Sequence, residues 1–217
     1  MAASLRLQQL RTHQVQLRAC DRCPNMIGPP VVGALTLSEI FLIGQAPGDK
    51  EPKLGRPFAW TAGKNLFKWF AGLGVDEATF RANVYMAAVC RCFPGKNPKG
   101  GDRVPDDEEI ARCRPFLERE IELVRPKLLL PIGRLAIAQL LPAAPLVEQI
   151  GRIHTAVVGG VTLPVLPLPH PSGASTWYRT EPGKALTEQA LARLGRHEAW
   201  RTLRASAGAV PPVGDRS

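Results

Sequence analysis

Nowhere in this 217-residue chain do apolar residues run long enough to cross a bilayer as a helix, which argues against a membrane protein. The stretch from Met1 to Arg18 is polar and rich in arginine and glutamine. It lacks the apolar centre of a secretory signal, so the expected location is cytoplasmic. No Gly-x-Gly-x-x-Gly and no phosphate-loop lysine motif occurs, which counts against a small-molecule enzyme gripping a nucleotide phosphate. There is no even set of cysteines either. Five of them without an export signal exclude a disulfide framework and leave metal binding or buried free thiols. Acidic residues are in deficit, 19 against 28 basic ones, for a net charge of +9. The basic excess is more arginine than lysine, which suits bidentate phosphate contacts. It fits a nucleic-acid partner and, equally on charge alone, an ordinary basic soluble protein.

What is present suits one α/β domain over residues 1–204, followed by a small, Pro/Gly-rich tail over 205–217 expected to be disordered. The pattern predicts a helix over 4–18, with Leu5, Leu7, Leu10, Val15 and Leu17 as its apolar residues. A turn-rich knuckle follows from Cys20 to Pro30. Apolar runs at 40–43, 84–89 and 127–132 read as buried strands. Runs at 153–158 and 161–168 read as two more, joined by a Gly159-Gly160 hairpin. Helices are expected over 62–73, over 133–141 and over 184–204, the last amphipathic. Another is expected to start near Pro105, with Asp106, Asp107, Glu108 and Glu109 in its first turn; Pro115 should interrupt or restart it. Residues 93–106 are rich in Gly, Pro and Lys and read as an exposed loop. Strands alternating with helices give a three-layer α/β sandwich with a central, mainly parallel sheet.

Three groups of residues carry the chemistry. The first is Gly44-Gln45-Ala46-Pro47-Gly48, at the carboxyl end of the first strand, where open α/β sheets bind ligands. Gly44 and Gly48 let the backbone turn and a ligand approach, Pro47 stiffens the turn, and Gln45 is the polar group delivered to the mouth. Taken alone, the loop fits an ordinary strand-to-helix connection as well. The second group is Cys20-x-x-Cys23, which presents two sulfurs to one ion, with Cys92 and Cys113 further along. Cys90 lies at strand spacing from Cys92, so on geometry either could be the third ligand. The third is His170-Pro171-Ser172, after an apolar strand and before a loop holding Ser175, Trp177, Tyr178 and Arg179. An imidazole beside hydroxyls and an arginine suits a site where negative charge develops, although a lone histidine is more often structural.

Together these motifs resemble the uracil-DNA glycosylase superfamily, most closely its iron–sulfur, family 4 branch. That branch carries Gly-Glu-Ala-Pro-Gly-x-x-Glu, Gly-x-Pro-Phe and Ala-Gly. The chain has Gly44-Gln45-Ala46-Pro47-Gly48-Asp49-Lys50-Glu51, Gly55-Arg56-Pro57-Phe58 and Ala62-Gly63. The family's Val-Tyr-x-x-Asn-x-x-Lys-Cys-x-Pro-Pro is matched by Val84 to Gly95, its Cys-x-Pro-Phe-Leu by Cys113 to Leu117, and its His-Pro-Ser by His170 to Ser172. The matches run in order over about residues 20–180, most of the chain. The resemblance implies a monomeric DNA glycosylase of base-excision repair that hydrolyses the N-glycosidic bond of uracil to leave an abasic site. By the same resemblance Cys20, Cys23, Cys92 and Cys113 would hold a 4Fe–4S cluster, structural zinc being the alternative. Phe58 would stack on the flipped base and His170 would donate to its carbonyl. The glycine loop (Gly44, Ala46, Pro47, Gly48), Ser172 and Arg179 would contact base or DNA.

The departures shape the expectation. The family's glutamate is Gln45 here, and its uracil-reading asparagine is Ala88. Gln45 cannot take up a proton near neutral pH; it can hold a water by its carbonyl or hydrogen-bond the base. Any carboxylate that assists would be Asp49 or Glu51, the nearest in sequence, with Glu51 better suited to bracing the loop. Ala88 removes an amide that would read the pyrimidine edge, so other deaminated bases such as hypoxanthine and xanthine are expected substrates beside uracil. Trp177 or Tyr178 would serve as a wedge in the duplex or as caps on the sheet edge. The Lys96–Arg103 stretch lengthens the Cys92–Cys113 spacing and would grip phosphates or simply be solvated. The competing reading is a non-catalytic nucleic-acid-binding protein with a metal or iron–sulfur knuckle, which Gln45 and Ala88 favour.

Overall fold

Ile40, Phe41, Leu42 and Ile43 are all buried, and the strand they form, β1 (Ile40–Gly44), has a parallel neighbour on each side. A strand apolar on both faces needs that cover, because neither face can be left to water. The computed structural model describes residues 1–98, 100–173 and 175–208. Before β1 comes helix α1 (Ala2–Arg18); after it come α2 (Glu51–Leu54), α3 (Thr61–Ala71) and α4 (Glu77–Asn83), then β2 (Tyr85–Ala88). Helix α5 (Asp107–Val124) leads to β3 (Leu128–Pro131), and α6 (Arg134–Ala138) and α7 (Leu146–Gln149) lead to the hairpin β4 (His154–Val158) and β5 (Val161–Val165). A short 3-10 turn at Trp177–Arg179 precedes α8 (Gly183–Arg196) and α9 (Glu198–Gly208). The five strands lie in the order β2-β1-β3-β5-β4, parallel except for the β4–β5 pair. The expected α/β architecture, a mainly parallel sheet flanked by helices, is what forms.

Two helical groups cover the sheet. Helix α1 packs on α5, while α4 packs on α3 and α9, and α9 on α8. Aromatic rings hold the second group: Phe70 stacks on Phe80 at 4.5 Å between centroids, and Trp200 of α9 lies 5.2 Å from Phe70. Polar bonds hold the first. Tyr85 of β2 donates its hydroxyl to Glu120 of α5 (2.7 Å) and accepts from Gln14 of α1 (3.2 Å). Arg91 closes the network with a fully buried ion pair to Glu120. Gln14 also donates to the Gly33 carbonyl at 3.4 Å.

Several expectations shift here. On α1 the buried residues are Leu10, His13, Gln14 and Leu17, whereas Leu5 and Val15 are exposed. Pro115 does not interrupt α5, which runs unbroken. Pro115 and Ala111 both lie on its exposed side, so the carbonyl that the proline cannot serve faces water. The last helix breaks at His197, whose backbone is extended and whose Nδ1 accepts the Ala199 N–H at 3.2 Å, capping α9. Helix α9 then reaches Gly208, past the expected start of the tail at 205; residues 209–217 lie outside the described ones. Among the described residues, no helix is long and apolar enough to cross a membrane.

Glu120→Ala would leave the buried Arg91 guanidinium unpaired and the Tyr85 hydroxyl without its acceptor. The expected loss is about 3–5 kcal/mol of unfolding free energy, read from urea melts.

Candidate active site

The carboxyl ends of β1, β2, β3 and β5 face one edge of the sheet, and the segments at or beyond the ends of β1, β2 and β5 line a cleft of about 850 Å³. Such a volume is ordinary for a ligand site at the end of a parallel sheet. Strand β1 gives the Gly44–Gly48 loop and β2 gives Ala88, the residues aligned by Val89 N–H to Gly44 carbonyl and Cys90 N–H to Gln45 carbonyl bonds at 3.0 and 3.1 Å. Beyond β5, Leu166 and Leu168 donate to Leu129 and Pro131 (2.9 Å each), which carries the chain out to His170. Gln45, Phe58, Ala88, Asp102, His170 and Ser172 share the cleft wall.

Phe58 is held in an unusual backbone state, with φ at 52°. A non-glycine residue there costs of order 1–3 kcal/mol and persists only when its surroundings over-determine it. They do so here. Arg81 donates to the carbonyls of Pro57 and Phe58, both at 2.8 Å, and is itself tied to Glu77 at 2.7 Å. Glu51 accepts the N–H of Ala59 at 3.0 Å and that of Gly48 at 3.3 Å, bridging the aromatic segment to the glycine loop. Two glycines make room. A Cβ on Gly63 would sit 1.8 Å from the Phe58 carbonyl oxygen, and one on Gly44 would sit 2.9 Å from the Phe58 ring. Burial pushes the Glu51 carboxyl up to about 7, against the backbone N–H bonds that favour its charged form. Both its oxygens are committed to the loop, so it acts as a brace.

His170 is positioned from behind. A Cβ on Gly133, whose φ is 86°, would lie 3.1 Å from the His170 Cβ and Cδ2. Glycine is the residue that both takes this backbone state and leaves the ring its place. Asn65 of α3 holds the next residue, donating to the Pro171 carbonyl at 2.8 Å. The ring's Nδ1 accepts the Ser172 N–H at 3.3 Å. Burial lowers the His170 pKa, partly offset by the negative charge of Asp102. The ring is therefore neutral near pH 7, and with Nδ1 accepting, its proton sits on Nε2, ready to donate.

The segment expected to be an exposed loop is only partly so. Phe93 and Pro94 are buried at its base, while Lys96, Gly100, Gly101, Asp102 and Arg103 line the cleft. Arg103 anchors it through Glu109 (2.7 and 2.8 Å) and the Pro94 carbonyl (2.7 Å). Glu109 in turn completes the capping box of α5 with Asp106. Arg179 is not brought to the cleft: its guanidinium donates to the Tyr178 hydroxyl at 2.9 and 3.1 Å. Tyr178 packs edge-on against Trp69, and Trp177 packs on the core, so both cap rather than project. An aromatic side chain absent from the sequence-based candidates, Trp60, lines the cleft instead and is half exposed. Arg81, Asn65, Asp102 and Gly133 were also missed. Of these only Gly133, directly after a strand, carries a local signal.

All five thiols gather near one another. Ile27 and Phe93 exchange backbone hydrogen bonds (2.7 and 2.9 Å), setting the Cys20–Cys23 knuckle beside Cys92. Burial and the negative charges of Cys113, Cys20 and Cys23 push the Cys92 thiol up to about 12, and burial with Cys113 and Cys20 raises that of Cys23. Cys90 donates to Cys113, which holds the Cys113 thiol down to about 6. The donors are thus soft, partly or fully buried and mutually repelling when ionised, which is the chemistry a thiolate-bound metal group needs. At the distances between them, however, no three His, Cys, Asp or Glu side chains among the described residues form a metal-holding group.

The bracing of Phe58 has measurable consequences. Gly63→Ala forces a side chain into a backbone oxygen and should cost about 1–3 kcal/mol in a denaturant melt, as overpacking does. The Glu51 pKa is raised, so its contribution to stability is complete below its ordinary 4.5 and is lost as pH rises to about 7. Glu51→Gln should therefore look more favourable relative to the unsubstituted chain at pH 7 than at pH 5, in urea melts at the two values.

The family model for the uracil DNA glycosylase superfamily matches residues 30–195. The chain is 37% identical over 100 residues to a type-4 uracil-DNA glycosylase of Sulfurisphaera tokodaii, covering 45% of this chain and 40% of that one. It is 31% identical over 140 residues to a type-4 uracil-DNA glycosylase of Pyrobaculum aerophilum, covering 63% of each. It is 33% identical over 143 residues to that of Saccharolobus solfataricus, covering 63% and 62%. The chain thus spans between 40% and 63% of the length of these relatives. The sheet with its cleft at the strand ends, the ordered motifs around that cleft and a match over most of the sequence agree: the chain belongs to the uracil-DNA glycosylase superfamily.

Proposed function

We propose that the protein is a monofunctional DNA glycosylase, acting as one domain and as a monomer, which removes uracil and other deaminated bases from DNA. The observation that carries this is a pair lining one cleft: an aromatic residue whose backbone is fixed, Phe58, and a neutral imidazole with its proton on Nε2, His170. The relatives bear the name uracil-DNA glycosylase, which supports the same reading. Cleaving the bond between base and sugar makes an electron-poor sugar and an anionic base. The base must first leave the duplex, which costs a few kcal/mol and less at a mismatch. Phe58 offers it a stacking surface, and His170 donates to the base carbonyl as negative charge builds there. The backbone of the glycine loop and Ser172 line the rim where phosphates would pass, and Trp60 offers a second ring to an unstacked base.

Ala88 puts no hydrogen-bonding group where the pyrimidine edge would lie, so recognition leans on shape and stacking. Strong rejection of a wrong base needs buried polar groups that it leaves unpaired. Hypoxanthine and xanthine therefore join uracil as substrates. Cys20, Cys23, Cys92 and Cys113 would hold a 4Fe–4S cluster, which when bound would cross-link the knuckle to the start of the loop and to α5. Zinc is the alternative, and a brown colour of the purified protein would separate the two.

Excision should be measured on duplexes carrying uracil, hypoxanthine or xanthine, with abasic sites revealed by alkaline cleavage. His170→Ala should slow release of uracil about 10²–10³-fold, as loss of one preorganised donor does. A protein that binds these duplexes without producing abasic sites is a binding module, and one that excises uracil alone overturns the broad specificity.

A further inference from the structure

The loop that lengthens the Cys92–Cys113 spacing brings a carboxylate into the cleft. Asp102 sits on the same wall as Gln45, Phe58 and His170. Its Oδ2 lies 3.4 Å from where a Cβ on Gly48 would be, so the carboxylate hangs over the glycine loop. Its placement is built. Lys96 pairs with it at 2.6 Å across a β-bridge and also reaches Asp49 at 3.7 Å. The Asn97 N–H donates to the Gly101 carbonyl and the Arg103 N–H to the Gly95 carbonyl, at 2.9 and 2.8 Å. Arg103, the residue after Asp102, is locked to Glu109.

The other acidic or amide groups of the cleft are less suited to meet a water. Gln45 carries no charge. Glu51 spends both oxygens on backbone N–H groups. Asp49 is paired with Lys50 at 3.5 Å as well as with Lys96. Asp102 is also the acidic group whose charge reaches His170.

We propose that Asp102 is the catalytic carboxylate of this glycosylase, supplied by the inserted loop in place of the acidic residue that Gln45 replaces. This rests on the glycosylase reading of the cleft. In the step, the bond between sugar C1′ and base nitrogen breaks and its electron pair leaves with the base, whose carbonyl oxygen His170 holds. The Asp102 carboxylate stabilises the electron-poor sugar and orients a water. The water oxygen forms the new bond to C1′ and its proton passes to Asp102, then to solvent, as the base anion is protonated. Lys96 is a positioning residue that pairs with the carboxylate across the β-bridge and holds it over the glycine loop.

The test is single-turnover excision of uracil by the full chain, with the affinity for a duplex bearing a stable abasic-site analogue measured in parallel. Asp102→Asn keeps the size and polarity of the side chain on a half-exposed loop. It should slow the chemical step about 100-fold, the usual scale for a general base, with affinity changed by less than about threefold. Three results overturn the assignment: an Asp102→Asn rate within about threefold of the unsubstituted protein, an affinity loss that matches the rate loss, or a large loss in Asp49→Asn with none in Asp102→Asn. If the unsubstituted protein itself excises nothing, the glycosylase reading fails, which is a separate outcome.

Discussion

The Arg91–Glu120 ion pair is the constraint on which the site's geometry rests. Both side chains are fully buried, and a lone charge in that position would be prohibitively costly, so the two segments carrying them must arrive together. Glu120 also receives the Tyr85 hydroxyl, which fixes β2 against α5, and Gln14 brings α1 to the same point. Arg91 follows Ala88 by one short step and lies between Cys90 and Cys92. Its carbonyl accepts the Val31 N–H at 2.7 Å, which draws the segment after the cysteine knuckle onto the same edge. One polar contact in the core thus sets the end of β2, the thiols and the base of the cleft loop.

On the other side of the cleft, the work is done by main-chain acceptors and missing side chains. Gly44, Gly63 and Gly133 are places where a methyl group would collide with Phe58 or His170. Arg81 and Glu51 then bind the backbone of the aromatic segment from two directions. The rings of Phe58 and His170 are held by different elements, one through α3 and α4, the other through β3 and β5, and line one cleft because the strand ends converge.

Much of this was legible in the sequence. Strands covered on both faces are uninterrupted apolar runs, so Ile40 to Ile43 and Leu128 to Leu130 announce themselves, and Gly159-Gly160 marks the hairpin. The glycine loop, Phe58 and His170 stand in ordered motifs, and the fold brings them to one cleft. What was illegible depends on which side of a helix meets the core. Apolar Leu5 and Val15 suggest a face that the fold leaves in water, because Gln14 and His13 are drawn inward by Tyr85 and Phe116. Pro115 survives inside α5 because its side of the helix is wet. Asp102 had no local signature: its place is made by the Arg103–Glu109 bond across the loop, and a polar run reads alike whether it folds back or not. Arg179 lies away from the cleft for the converse reason, since a cation next to a tyrosine in sequence can satisfy itself there.

The left-handed backbone of Phe58 has a consequence for timing. Because its backbone is pinned by Arg81 and its ring packs against the core, this aromatic surface is already in place in the free protein. On the proposed function, an extruded base would meet a finished wall, with little ordering of the protein left to be done on arrival. In a cycle of that kind the slow and temperature-sensitive part would belong to the duplex giving up its base, with the protein as a fixed template that waits for it.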